Sequence, residues 1–525
     1  MPTTAPTAAI APSPALDAFR AAYEAGRPQV VSTRLVADLE TPVSAYMKLV
    51  PARAPSFLLE SIEGGESRGR YSIIGLAPDI LWRADGETAL INRNPAVSPD
   101  AFEPCSAPTL TALRALLAES AIDLPDDLPP MAAGVFGYMG YETVRLVEVL
   151  PDARDRAIDV PDAVMMRPTL IVVFDTVKDE LTIVTPVRPA PDTSPEAAYE
   201  AAATRLEGAV RALERPVSLA AAATTATTTD LTAPEPRSNT SPADYMAMVQ
   251  RAKDYITAGD AFQIVLSQRF TTPFSLPPFA LYRALRRTNP SPFLFHLEFG
   301  DFALVGSSPE ILVRVRDGQV TIRPIAGTAR RGATRAEDEA LAQALLADPK
   351  ERAEHLMLLD LGRNDVGRVA EIGSVTVTEQ YVIERYSHVM HIVSNVIGRL
   401  DARHDAIDAL MAGFPAGTVS GAPKVRAMEI IDELEKEKRG PYAGCVGYFS
   451  ACGHMDTCIV LRTALVKDGE MHIQAGAGIV YDSIPENEQQ ECINKAKALV
   501  RAAEEAVRFA GGSLPAPGAN RGEFA

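Results

Sequence analysis

The stretch DTCIVLRTALVKDGEMHIQAGAGIVY, residues 456–481, decides the fold class. Two runs rich in Val, Ile, Leu and Thr, DTCIVLRTALVKDG and EMHIQAGAGIVY, meet at Asp468-Gly469 and read as strands joined by a turn. A helical pattern over 484–509 follows directly. Outward from there the strand signal recurs in CVGYFS (445–450), ILVRVRDGQVTIRPI (311–325), FALVGSS (302–308), FLFHLEF (293–299) and FQIVLSQRF (262–270). Nearer the N-terminus it recurs in SFLLESI (56–62), RYSIIGL (70–76) and IVVFDTVKDELTIV (171–184), the last a hairpin turning near Lys178 and Asp179. Many hairpin-like strands with helices among them predict an α+β fold, with large antiparallel sheets packed together and flanked by helices.

The helices announce their own starts. Ser194-Pro195 and Ser241-Pro242 place an N-cap before a proline at the first helical position, and Tyr245, Met248, Ala252 and Tyr255 then recur at helical spacing. Between those helices, residues 218–240 are low in complexity and nearly lack large apolar side chains, the composition of a flexible linker. The sequence thus divides into a Pro/Ala/Thr-rich tail (1–20) expected to be disordered, an N-terminal α+β region (21–217), the linker (218–240), a longer region (241–509) and a loose tail (510–525).

With 47% hydrophobic, 23% charged and 6% aromatic residues over 525 positions, the composition is that of a globular protein with a substantial interior. A net charge of −17 opposes non-specific attraction to nucleic acid and to anionic membranes, which favours small-molecule work. No run of about 18 apolar residues occurs, and the N-terminus lacks the pattern of a signal peptide, so the expected location is the cytoplasm. Five cysteines without a CxxC pair suggest neither a disulfide framework nor a structural zinc site; they read as small buried hydrophobes.

Chemistry shows first in DPKERAEHLMLLDLGRNDVGR, residues 348–368. Asp348 caps a helix that Pro349 opens and Gly362 is expected to end. Glu351 and Glu354, three apart, project from one face about a turn apart. The pair reads either as a capping box with a solvated neighbour or as half of a cation site. PENEQQECINKAKALV repeats the spacing with Glu488 and Glu491, after Ser483 and Glu486 in a capping-box relation. Two helices each presenting an acidic pair can bracket one hard cation; Mg²⁺ takes one or two carboxylates and keeps waters.

The runs GDAFQIVLSQRF, NPSPF, GSSPE, PIAGTARRG, ERAEHLMLLDLGRND, VMH, GTVSGAPK, LRTA, AGAGIVYDS and PENEQQECINKA occur in the order found in the chorismate-utilising enzymes. Together they resemble anthranilate synthase component I, densely over 242–505 and thinly through LLES (58–61). The resemblance implies Mg²⁺ held by Glu354 and Glu491, with Glu351 and Glu488 assisting directly or through water. It implies substrate carboxylates paired with Lys495 and Arg462, backbone N–H groups at Gly476 and Gly478 on the same anion, and Thr418 and Tyr448 in the substrate-binding set. Among the catalytic positions, Glu310 matches the general acid that protonates the hydroxyl leaving C4 as ammonia adds at C2. His391 matches the residue assisting loss of pyruvate, and Thr328 a hydroxyl that orients substrate.

Two positions separate the relatives. Gln263 stands where isochorismate and salicylate synthases carry a water-activating lysine, and Ala326 where many aminodeoxychorismate synthases carry a lysine nucleophile; neither an amide nor a methyl group does that work. The implied reaction is therefore chorismate plus ammonia to anthranilate and pyruvate, the first committed step of tryptophan biosynthesis, with aminodeoxychorismate synthase component I of the folate pathway as the alternative. No cysteine lies in a glutamine amidotransferase elbow, so the resemblance implies ammonia from a separate amidotransferase subunit. Glu60 and Ser61 in LLES, with Asn289, Pro290 and Phe293 in NPSPF, resemble a tryptophan feedback site, although Phe293-Leu294 replaces its usual aromatic-Met ending.

Overall fold

Two antiparallel ladders organise the chain, as the strand pattern predicts; the computed structural model describes residues 11–63, 67–151, 154–217, 235–386 and 389–510. One ladder runs through Ser56–Glu63, Phe293–Glu298, Phe302–Ser308, Thr463–Lys467, Glu470–Ile479 and Gln263–Pro273, each antiparallel to the next. The other runs through Gly134–Met139, Cys445–Ser450, Met455–Ile459, Ile311–Arg316, Gln319–Ile322 and Val389–Arg399. Two long strands join them: Ser67–Asp85 pairs with Ser56–Glu63, Ala163–Asp175 pairs with Gly134–Met139, and the two pair with each other.

Phe57, Phe136, Phe295, Val446 and Leu465, drawn from both ladders, share one buried layer. The Phe57 and Phe136 rings stack with centroids 4.4 Å apart. Each such ring contributes about 2–3 kcal/mol by leaving water. Helices cover the outer faces: Pro485–Ala510 and Pro242–Ala258 lie against the first ladder, burying Leu499 and Tyr245 in its outer core.

Strands from 21–217 and from 241–509 share both ladders, so the two regions are interleaved rather than side by side. Of the expected linker, 218–234 lies outside the described residues, while Arg237–Ser238 pairs with Phe270 and Thr271. The expected N-terminal tail lies outside them only over 1–10. Helix Leu16–Glu24 begins within it, because Phe19 and Tyr23 bury against helix Pro195–Leu213, with the Phe19 ring edge-on to Tyr199 at 5.1 Å. At the other end the last helix reaches Ala510, and 511–525 lie outside the described residues.

The structure corrects three local expectations. The run 456–469 is two strands, Met455–Ile459 and Thr463–Lys467, because the chain changes ladder at Arg462, whose φ is +47°. Gly362 does not end its helix, which continues to Gly367; lacking a Cβ, Gly362 lets the helix lie close on Pro324. Cys452 is exposed and Cys105 partly so, while Cys445, Cys458 and Cys492 are buried, and all five are free thiols. Among the described residues no helix is long and apolar enough to cross a membrane.

Candidate active site

The chain passes between the ladders at two neighbouring points, and each carries a functional candidate. Phe302–Ser308 leads into Ile311–Arg316 through Pro309-Glu310, and Met455–Ile459 leads into Thr463–Lys467 through Leu461-Arg462. Backbone bonds tie the crossings together, Ser307 N–H to the Arg462 carbonyl at 3.1 Å and Ile459 N–H to the Glu310 carbonyl at 3.0 Å. A cavity of about 420 Å³ opens there, reached also by the two carboxylate helices.

Glu310 is 5% exposed, and burial pushes its carboxyl up to about 8, opposed in part by the Thr418 hydroxyl, which donates to it at 3.0 Å. It is therefore a neutral acid at pH 7. Across the cavity His391 meets the Gly327 carbonyl at 3.0 Å and the Thr328 hydroxyl at 3.1 Å, both through Nδ1. A carbonyl only accepts, so the hydrogen sits on Nδ1 and Nε2 keeps its lone pair. Burial holds the ring below the usual histidine range, with the Arg462 charge adding to that effect. The β-bulge at Gly327, φ +67°, aims that carbonyl, and a Cβ there would stand 3.0 Å from a Glu351 carboxylate oxygen.

Glu351, Glu354, Glu488 and Glu491 all line the cavity from two helices. Asp348 caps the first helix through the Lys350 and Glu351 N–H groups, but Glu351 does not close a capping box; its carboxylate takes the Thr328 N–H instead. Burial lifts Glu351, Glu354 and Glu488 above the usual carboxylate range, and the adjacent acids Asp348, Glu351 and Glu491 respectively add to it. Among the described residues no three acidic, His or Cys side chains converge as a closed metal cage. Two pairs of carboxylates open to one cavity, three half-buried and Glu491 exposed, suit a hydrated Mg²⁺ that shares an oxygen with substrate.

Arg462 lines the cavity with burial lowering its pKa, and among the described residues its guanidinium meets no acid. It is a cation waiting for an anion. Lys495 reaches the Gly476 carbonyl at 2.8 Å and Glu491 at 2.7 Å. A Cβ at Gly476 would meet the Leu266 carbonyl and the Tyr442 hydroxyl at 2.8 Å, so backbone closeness requires glycine there, while one at Gly478 would displace the Gln263 amide, 2.4 Å away. Gln263 and Ala326 line the same cavity.

Tyr448 does not belong there. It lies in the layer between the ladders, its ring 5.4 Å from Phe136, because its strand alternation turns it inward. Tyr442 lines the cavity beside Gly476, and among the described residues its hydroxyl has no partner. The turn signals around it in RGPYAG, a loop context for an aromatic ring, were the available clue.

The second candidate set also comes together. Ser61 pairs with Phe293 and Glu60 with Leu294 across neighbouring strands, and the Asn289 carbonyl accepts from Ser307 at 2.5 Å before Pro290 turns the chain. The Glu60 carboxylate accepts from Arg286 at 2.6 and 2.9 Å and from the Tyr282 hydroxyl.

A sequence profile described as chorismate binding enzyme matches residues 55–501. Relatives named anthranilate synthase component 1 include one from Cereibacter sphaeroides, 57% identical and covering 94% of this chain and 98% of its own length. Another, from Pseudomonas putida, is 49% identical, with coverages of 89% and 93%. The crystal structure of anthranilate synthase component I from Streptococcus pneumoniae superposes with a TM-score of 0.71 at 38% identity, covering 89% of this chain and 99% of that one. The menaquinone-specific isochorismate synthase of Escherichia coli, 20% identical with a TM-score of 0.66, shares the fold.

Proposed function

Since the chain belongs to the chorismate-binding enzymes, we propose that it converts chorismate and ammonia to anthranilate, pyruvate and water, as the first committed step of tryptophan biosynthesis. The observation that carries this reading is the buried Glu310 carboxyl, kept protonated into the alkaline range, facing a cavity in which His391 keeps a neutral Nε2. Ammonia adds at C2 of the ring while the C4 hydroxyl departs as water, taking its proton from Glu310. The ammonium formed at C2 returns a proton to Glu310; His391 Nε2 then removes the proton left on C2, the C3–O bond breaks, and the departing enolpyruvate takes that proton at its methylene carbon to become pyruvate while the ring becomes aromatic.

Arg462, Lys495 and the N–H groups beside Gly476 and Gly478 hold substrate carboxylates, with Tyr442 in the position first expected for Tyr448. Glu354 and Glu491 would ligate Mg²⁺, and Glu351 and Glu488 would support it through water. When bound, the ion supplies an electrophile and template for the ring carboxylate. Gln263 and Ala326 leave ammonia without a competing water or lysine nucleophile.

The ammonia comes from a separate glutamine amidotransferase subunit, and tryptophan inhibits at Glu60, Ser61, Asn289, Pro290 and Phe293. The adjacency of these five residues supports the second statement. The test is product analysis of the purified chain with chorismate, Mg²⁺ and ammonium. Fluorescent anthranilate and pyruvate in equal amounts are expected, with little product from glutamine until the partner is added. A product keeping the enolpyruvyl group or an amine at C4 would overturn the assignment in favour of aminodeoxychorismate or aminodeoxyisochorismate synthesis.

A further inference from the structure

Arg439 is 3% exposed and does not line the catalytic cavity, yet its guanidinium makes four hydrogen bonds. Nε and Nη2 donate to the two Glu435 oxygens at 2.9 and 2.6 Å, Nη1 donates to the Val419 carbonyl at 2.7 Å, and Nη2 donates to the Val265 carbonyl at 2.7 Å. Val419 and Val265 both line the cavity, on different elements. The fork also lies over Tyr442, with its carbon 5.6 Å from the ring centre, and over Tyr141 at 4.8 Å. Glu435 in turn accepts from the Ser267 N–H at 2.8 Å and hydroxyl at 2.9 Å, which fixes the anchor to the same strand as Val265.

A planar guanidinium bonded on three sides has one pose, and whatever it bonds is held to that pose. The residue before Val419 is Thr418, the only side chain of the described residues that hydrogen-bonds the Glu310 carboxyl. We infer that Arg439 is a positioning residue for the proton-donating end of the site, fixing the Val419 carbonyl and thereby aiming the Thr418 hydroxyl at Glu310. Stability alone explains the Glu435 pair; the other two bonds go to main-chain carbonyls of two adjoining cavity-lining segments, which the Val265 N–H to Ser420 carbonyl bond at 2.9 Å also ties together, so the guanidinium fixes the segment that carries Thr418. A lysine in this place is a point donor that satisfies Glu435 but cannot span both carbonyls.

The inference rests on the reaction proposed above and is tested by a double-mutant cycle on anthranilate formation with R439K, T418V and the pair. If Arg439 acts through Thr418, each single change lowers kcat about tenfold, and adding T418V to R439K costs less than about a further threefold. R439K should at the same time leave the KM for chorismate within about threefold of the native value, with kcat counted per folded molecule from the far-UV circular dichroism of each variant, because loss of folded protein by itself also lowers the apparent kcat at constant KM. Effects that multiply to about a hundredfold, or an unchanged kcat in R439K, overturn the inference. Should R439K fail to fold, E435Q takes its place in the cycle, since it loosens the same guanidinium without removing it. If the native chain makes a product other than anthranilate, the reaction assignment fails, and the cycle is read on that product, so the two failures stay distinct.

Discussion

Replacing Glu310 by Gln separates the acid's chemistry from its folding consequence. In the native fold the carboxyl titrates at about 8 against 4.5 for a free glutamate, because burial penalises the anion. A raised carboxylate pKa means that its contribution to stability is fully present below pH 4.5 and is lost as pH rises through 8. Each unit is worth about 1.4 kcal/mol, so between pH 5 and pH 8 the native protein gives up roughly 4 kcal/mol that E310Q, with no proton to lose, retains. Urea unfolding of both proteins at pH 5, 6, 7 and 8 reads that difference directly, since a constant cost of the amide cancels along the series. The relative stability should move steadily toward E310Q with rising pH. Parallel curves, with an offset that does not change, would refute the buried-acid argument. On the kinetic side, E310Q should lose a factor of about 10² to 10⁴ in kcat, and native turnover should fall above pH 8 as the acid deprotonates.

G327A forces a left-handed alanine against the Glu351 carboxylate and Ile392, 3.0 and 3.1 Å away, and should cost about 1–3 kcal/mol by thermal melt together with most of the turnover. The buried Lys424–Asp365 pair, 2.9 Å apart, should make K424M and D365N each destabilising by about 3–5 kcal/mol in urea, while D365L/K424M recovers more than half of that loss. Calorimetry without substrate should show Mg²⁺ raising the melting temperature of the native chain and doing so much less in E491Q and E354Q; equal shifts in all three would remove these glutamates from the ion's coordination.

The acidic pairs of the site are legible from their spacing, whereas a lone strand histidine and the glycines of a turn become legible only through the resemblance to the chorismate-utilising enzymes. Carboxylates three apart on two helices, a histidine on a strand and glycines in AGAG all line one cavity. What the sequence hides is the change of ladder at Arg462: an arginine inside a β-rich run looks like one more strand residue, and only tertiary pairing makes it a left-handed corner. The expectation for Tyr448 fails for a related reason, since only the inward phase of the 445–450 strand takes that ring into the core, and Tyr442 carried no expectation of its own. Gly362 misled because a glycine that ends helices in isolation here serves close packing on Pro324.

The interleaving of the two regions also governs how the chain can be made. Ser56–Glu63 must wait for Phe293–Glu298, and Gly134–Met139 for Cys445–Ser450, strands synthesised hundreds of residues later. Until then the nascent N-terminal region presents unpaired strand edges beside Phe57, Leu58 and Phe136, side chains that end fully buried. Such an intermediate is slow to complete and prone to pair with its neighbours on the polysome. The first 217 residues expressed alone should therefore expose these two strand edges and associate through them, which sedimentation against the full chain would read.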